Sequence, residues 1–293
     1  MAESWTLRAH AKVNLALEVM GLRSDGYHDI DTVVQAVGLH DRVTVTLTPA
    51  AAAPYITVSG PCADGVPVDD RNLALRAVHA LAALTGRPAG GVRLQIEKFI
   101  PAAGGLGGGS ADAAAVLRGL QRLWGPIPDD VLVAAGAMVG SDEPAMVVGG
   151  TVRAQGRGER VAKLAPLLPH DVVLFVSPGS IERKTARMFA ALDGLPPDTG
   201  SVAERVAAGR QPRWLAADVY NSFERVAFDL FPGLAALWED LESRTGEAVR
   251  LAGAGPTLFW IGPAGAGARV AARARGAACT VVETETVGEP WTQ

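Results

Sequence analysis

The segment from Pro101 to Asp112, PAAGGLGGGSAD, constrains this chain most, because it carries five glycines and runs straight into the apolar, alanine-rich stretch from Ala113 to Trp124. An alternating stretch, Val92 to Ile96, precedes it and reads as a strand. Glycines between a strand and a helix let backbone approach a polyanion, while the unpaired N–H groups and dipole of the helix start supply positive potential. Ser110 adds a hydroxyl that can reach a phosphate oxygen, a bound cation or the helix end. A flexible linker would be polar and would not follow a strand. The segment is therefore read as a phosphate-binding loop. It is not a Walker loop, since no Gly-Lys pair occurs in the chain, and it lacks the spacing of a dinucleotide fingerprint.

Composition bounds the rest. The 293 residues suffice for two domains, and 27 basic against 31 acidic residues give a net charge of −4, which offers no general attraction for nucleic acid or anionic membrane. An anionic substrate must be held by local groups. Cys62 and Cys279 stand alone, so neither a disulfide framework nor a zinc site is expected, and the five histidines are scattered. No secretory signal or membrane-spanning run is read; a cytoplasmic setting is expected.

Along the chain, Val13 to Val19 and Val43 to Leu47 alternate as half-buried strands, with a loop at Gly21 to His28 between them. Helices are expected from Leu73, behind caps at Asp69 to Asn72, and over Asp129 to Met138. The second half reads as a split β-α-β-β-α-β core: a strand at Val172 to Val176, a helix near Arg183 to Leu192, strands at Val249 to Ala252 and Thr257 to Ile261, a helix at Ala266 to Arg275 and a strand at Thr280 to Thr286, with extra helices inserted, one at Gly233 to Arg244. The expected division is 1–160 and 161–293, a boundary in the Gly- and Pro-interrupted stretch from Arg157 to Pro169.

The glycine loop resembles the P-x-x-x-G-L-x-G-G-S-[SA] signature of the GHMP kinases, the superfamily of galactokinase, homoserine kinase, mevalonate kinase and phosphomevalonate kinase. Within it the chain is similar to the 4-diphosphocytidyl-2-C-methyl-D-erythritol kinases of the non-mevalonate isoprenoid pathway. The matching pieces, in order, are Ala11 to Leu15 (AKVNL), Arg23 to His28 (RSDGYH), the glycine loop, Gly140 to Pro144 (GSDEP), Asn221 and Leu251 to Gly255 (LAGAG). The resemblance implies an α+β, two-domain GHMP kinase fold, with an N-terminal domain like ribosomal protein S5 and a C-terminal ferredoxin-like split β-α-β domain. It implies ATP and Mg²⁺ as cofactors and a cytidine diphosphate-linked methylerythritol as the small-molecule substrate.

It also implies site residues. Asp142, from the G-[SA]-D-x-P motif, is the expected base, and Lys12 would orient the acceptor hydroxyl and offset charge on the γ-phosphate. On spacing alone, Asp142 reads equally as a turn or cap residue and Lys12 as part of a solvated strand face. Pro101, Ala102, Ala103, Gly104, Gly105, Leu106, Gly107, Gly108, Gly109, Ser110 and Ala111 would hold the nucleotide, with Asn72 and Lys98 near adenine. A helix cap and a strand-end lysine explain the last two as well. For the acceptor, Tyr27 would stack on cytosine, His28 would hydrogen-bond to it and Phe189 would cover its other face, with Asn14, Thr185, Gly253 and Gly255 in the same cleft. No protein-built metal site is expected. Two departures from the family pattern stand out: Glu143 replaces a small apolar residue, and Arg183 and Lys184 add charge near the expected cytidine pocket.

Overall fold

The computed structural model describes residues 3–49, 52–167, 169–179, 181–209 and 219–291. Two long strands dominate the first half: β1 (Glu3–Leu22) and β2 (His28–Leu47) form an antiparallel hairpin. From Ala11 to Val19 every residue of β1 is buried, so this segment is covered on both faces. Around the hairpin gather β3 (Tyr55–Ser59), β4 (Val92–Glu97), β5 (Thr151–Gly156) and β6 (Arg160–Lys163), and the short β8 (Tyr220–Asn221) joins β1 in parallel to complete a seven-stranded sheet.

Four helices, α1 (Leu73–Thr85), α2 (Gly108–Trp124), α3 (Asp129–Val139) and α4 (Glu143–Val148), belong to this half. In α2 the run Ala113 to Leu117 is fully buried, and the helix comes so close to the sheet that a β-carbon on Gly119 would stand 2.7 Å from Val45 Cγ2. Small side chains thus set the helix-to-sheet distance and place the start of α2 against β1.

The second half contributes β7 (His170–Val176), α5 (Lys184–Leu192), α6 (Ser201–Ala208), α7 (Glu224–Leu230), α8 (Leu234–Thr245), β9 (Arg250–Leu251), β10 (Leu258–Pro263), α9 (Gly267–Arg273) and β11 (Thr280–Glu285). Its four-stranded sheet runs in the order β11-β7-β10-β9, with every neighbouring pair antiparallel. This is the split β-α-β-β-α-β arrangement expected from the sequence. The two halves are interlocked. A cut after residue 160 passes through β6, β8 returns from the second half to the first sheet, and buried apolar residues of both sheets form one contiguous core. Among the described residues no helix is long and apolar enough to cross a membrane.

Candidate active site

Lys12 owes its position to a bulge in β1. The register with β2 shifts between His10 and Lys12, and the freed Lys12 N–H donates to the Leu106 carbonyl of the glycine loop at 3.0 Å. The side chain is buried rather than solvated, and Nζ donates to Asn14 Oδ1 at 2.8 Å. Asn14 Nδ2 donates in turn to Thr32 Oγ1 at 2.9 Å, and that hydroxyl donates to the Ala16 carbonyl at 2.6 Å. Asn14, expected to touch substrate, is therefore committed at both ends of its amide and holds Lys12. Thr32 is a supporting residue that sequence reasoning did not single out.

Asp142 lies at the N-cap of α4, the location that would suit a purely structural aspartate, yet its side chain makes no capping hydrogen bond. Its Oδ2 stands 3.8 Å from Lys12 Nζ, with 46% of the side chain exposed against 4% for the lysine. A cation fixed in the wall faces a carboxylate open to the cleft. Next to it, the Glu143 carboxyl is buried and pushed up to about 7 by loss of solvent and by the charge of Asp142. The nearby Ser110 hydroxyl partly offsets that shift, and a β-carbon on Gly140 would stand 2.6 Å from Glu143 Oε2. This departure from the family pattern thus buttresses the start of α2 from inside.

The loop itself delivers an uncapped helix end. Gly107 takes the left-handed conformation (φ 70°) at the N-cap, and α2 begins at Gly108, earlier than the expected Ala113. Among the described residues no side chain caps this helix start, which suits an anion. Ser110 lies in that first turn and does not cap the helix. The glycines also answer to the protein's own packing, which their reading as a pure phosphate cradle omits. Gly105 (φ 85°) has no room for a side chain, since a β-carbon there would overlap the Ala252 carbonyl oxygen. A β-carbon on Gly107 would lie 3.0 Å from Lys12 Cγ.

Gly253 and Gly255 belong to the turn between β9 and β10 that meets this loop. Asn221 Nδ2 pins the turn through the carbonyls of Leu251 (2.9 Å) and Gly253 (2.8 Å). At Gly253 (φ 52°) a β-carbon would stand 2.9 Å from Lys12 Nζ, so the turn forms a wall of the same site.

Asn72 and Lys98, expected near adenine, both have structural partners. Asn72 is buried and caps α1, its Oδ1 accepting from Ala74 N at 2.9 Å while Nδ2 donates to the Pro67 carbonyl. Lys98 is buried under the loop and donates to Asp41 and, at 2.6 Å, to Asp112 Oδ2. Asp41 also accepts from the N–H groups of Phe99 and Ile100. Burial, with Asp41 nearby, holds the Asp112 carboxyl well above the usual carboxylate range. Lys98 therefore supports the loop from below, with its charge spent on two carboxylates.

On the acceptor side, Tyr27 is half-exposed and the Arg157 guanidinium lies 5.0 Å from its ring centre. His28 Nε2 pairs with Asp193 Oδ1 at 2.6 Å, and its ring stacks on Phe189 with centroids 4.5 Å apart and planes 20° from parallel. Phe189 thus covers His28, whereas the expected sandwich would set it across a base from Tyr27. Thr185 is exposed in the first turn of α5. Asp193 and Arg157 were not legible as partners, because contacts from His28 to a residue 165 positions away leave no local pattern.

The chain matches known proteins in sequence and fold. The GHMP kinases N terminal domain matches residues 72–150, which hold the glycine loop and Asp142. The 4-diphosphocytidyl-2-C-methyl-D-erythritol kinase of Salinispora tropica is 40% identical over 281 residues, covering 91% of this chain and 86% of its own. That of Saccharopolyspora erythraea is 41% identical, covering 93% and 87%. This chain belongs to the 4-diphosphocytidyl-2-C-methyl-D-erythritol kinase family. A crystal structure of 4-(cytidine 5'-diphospho)-2C-methyl-D-erythritol kinase superposes with a TM-score of 0.73 at 34% identity, covering 97% of this chain and all of that one. Homoserine kinase from Cytophaga hutchinsonii, 17% identical with a TM-score of 0.71, shares the fold. The two-domain α+β GHMP kinase architecture follows from these matches together with the two sheets.

Proposed function

We propose that this family member transfers the γ-phosphoryl group of ATP to the 2-hydroxyl of 4-diphosphocytidyl-2-C-methyl-D-erythritol, a step of non-mevalonate isoprenoid synthesis. The observation that carries the reading is the Lys12–Asp142 pair, 3.8 Å apart beside an uncapped helix start. Transfer requires the acceptor oxygen to form a bond to the γ-phosphorus while the P–O bond to the β-phosphate breaks and its electron pair leaves with ADP. Asp142, open to the cleft and free of capping duty, takes the hydroxyl proton. Lys12, fixed by Asn14 and Thr32, orients that hydroxyl and offsets charge on the transferring group. The backbone of Gly107 to Ser110 holds the phosphates.

The Ser110 hydroxyl, in the first turn of α2, is the protein oxygen that would hold Mg²⁺ beside the nucleotide phosphates. When bound it neutralises phosphate charge. His28, steadied by Asp193, reads the cytosine edge, and Tyr27 offers its ring to the base. Cys62 and Cys279 carry free thiols, which fits a cytoplasmic enzyme.

An assay of ATP consumption with the cytidyl substrate, homoserine and mevalonate tests the reading. Turnover is expected with the first alone. Preference for either of the others would reject the substrate, and no turnover with any would reject the kinase.

A further inference from the structure

Lys184 opens α5 in the second half of the chain, yet its ammonium reaches the glycine loop. Nζ donates to the Ala103 carbonyl at 2.6 Å and to the Gly255 carbonyl at 2.5 Å. Those acceptors lie on the two glycine turns that meet where Gly105 abuts Ala252. Backbone strain gathers at the same contact. Among the described residues only Ala103 (φ 57°) and Arg183 (φ 50°) are non-glycine residues in the left-handed region; one carries the acceptor carbonyl and the other immediately precedes the donor. Such strain persists where the surrounding structure over-determines it.

A simple staple between two turns would explain the hydrogen bonds but not the charge. An ammonium has three donors, and among the described residues the third has no protein partner. Burial and the neighbouring Lys12 lower the Lys184 pKa to about 8, opposed by Asp142, so its ammonium shares the electrostatic space of the proposed transfer pair. Two cations that feel each other's charge repel unless an anion lies between them.

We infer that Lys184 is a second phosphate-binding cation, holding the terminal phosphate of the ATP donor together with Lys12. The inference rests on the kinase reading above. The donor is favoured over the diphosphate of the acceptor because Ala103 belongs to the ATP loop and because Lys12 and Asp142 flank the group in transfer. Lys184 is thereby moved away from the cytidine pocket, where its position in the sequence had suggested extra charge.

Calorimetric titration of ATP and ADP, each with Mg²⁺, and of the cytidyl substrate into the wild type, K184M and K184Q separates the possibilities. The expected result is that both variants bind ATP about 10- to 100-fold more weakly, the loss of one charge-assisted hydrogen bond, while ADP affinity stays within about threefold. K184Q retains amide donors for the two carbonyls, so it carries the test even where K184M is destabilised. Equal losses for ATP and ADP would reduce Lys184 to a staple and overturn the inference, as would unchanged ATP binding or a loss confined to the cytidyl substrate. A wild type that binds neither nucleotide would instead overturn the kinase reading beneath it.

Discussion

Two lysine–carboxylate groups flank the glycine loop, and they are built for opposite ends. Lys98, Asp41 and Asp112 are sealed below it, with side-chain exposures of 4%, 0% and 4% and two short ion pairs. Lys12 and Asp142 stand above it 3.8 Å apart, and the carboxylate is nearly half exposed. The sealed group has its charges consumed by each other and by the N–H groups of Phe99 and Ile100. The open pair keeps a carboxylate with no duty to the fold. Residue type therefore does not separate support from the proposed chemistry; access to solvent does.

The largest effect that tests this contrast is on stability. Lys98→Met leaves two buried carboxylates facing each other, and removing one partner of such a group costs about 3–5 kcal/mol. Denaturant unfolding should show that loss, and adding Asp112→Asn should recover part of it. A Lys98→Met protein as stable as the wild type would break the contrast, because the sealed lysine would then be dispensable to the fold.

A smaller effect is expected where the contrast extends to the acceptor. His28 spends one nitrogen on Asp193, and its remaining edge is the one proposed to meet the base. A mismatched buried polar group costs about 1–3 kcal/mol, so the wild type should prefer the cytidyl substrate to its uridyl analogue by roughly ten- to a hundredfold in kcat/KM. His28→Ala should shrink that ratio and raise KM while leaving ATP affinity nearly unchanged. Equal use of both substrates by the wild type would show that His28 is only part of the loop's packing.

The smallest effect concerns a half-buried carboxylate with no lysine. Glu224 accepts from Leu251 N at 3.0 Å, and burial pushes its carboxyl up to about 7. Because that value lies above the ordinary 4.5, its protonated form is favoured by folding; the stability it contributes is complete below about pH 4.5 and is lost as pH rises through 7. The shift corresponds to about 3 kcal/mol at most, and solvent that still reaches the group reduces this to about 2 kcal/mol. Glu224→Gln should therefore lose less stability than the wild type between pH 5 and pH 8, as read by melting at the two values. Identical pH dependence in both proteins would remove Glu224 as a source of the slope.

What the sequence made legible follows the range of the interactions. The loop, the Asn72 start of α1 and the split second sheet carry local signals: glycine spacing, a cap residue, strand-sized apolar runs. The burial of β1 does not, since Val13 to Val19 alternate like a half-buried strand while the structure also covers Lys12, Asn14 and Glu18 on the polar face. Lys12 and Asp142 were found through ordered motif matches, because nothing local distinguishes Asp142 from a cap. The sealed group was missed: Asp41 lies 57 positions from Lys98, and Lys98 looks like an ordinary strand end until the two are brought together. Likewise the glycines were read for one constraint and satisfy two, since the pressure of Ala252 on Gly105 comes from a turn late in the chain.

The central claim, that the open pair performs the transfer and does not hold up the fold, is tested most directly by Asp142→Asn in a single-turnover assay, with ATP titration and a melting curve on the same preparation. The account predicts transfer slower by about 10²-fold or more, ATP affinity within a few-fold of wild type and an unchanged melting temperature, because the side chain caps nothing and is needed only to accept the proton. Near wild-type transfer by the Asn variant, or a rate lost in proportion to stability, would contradict it.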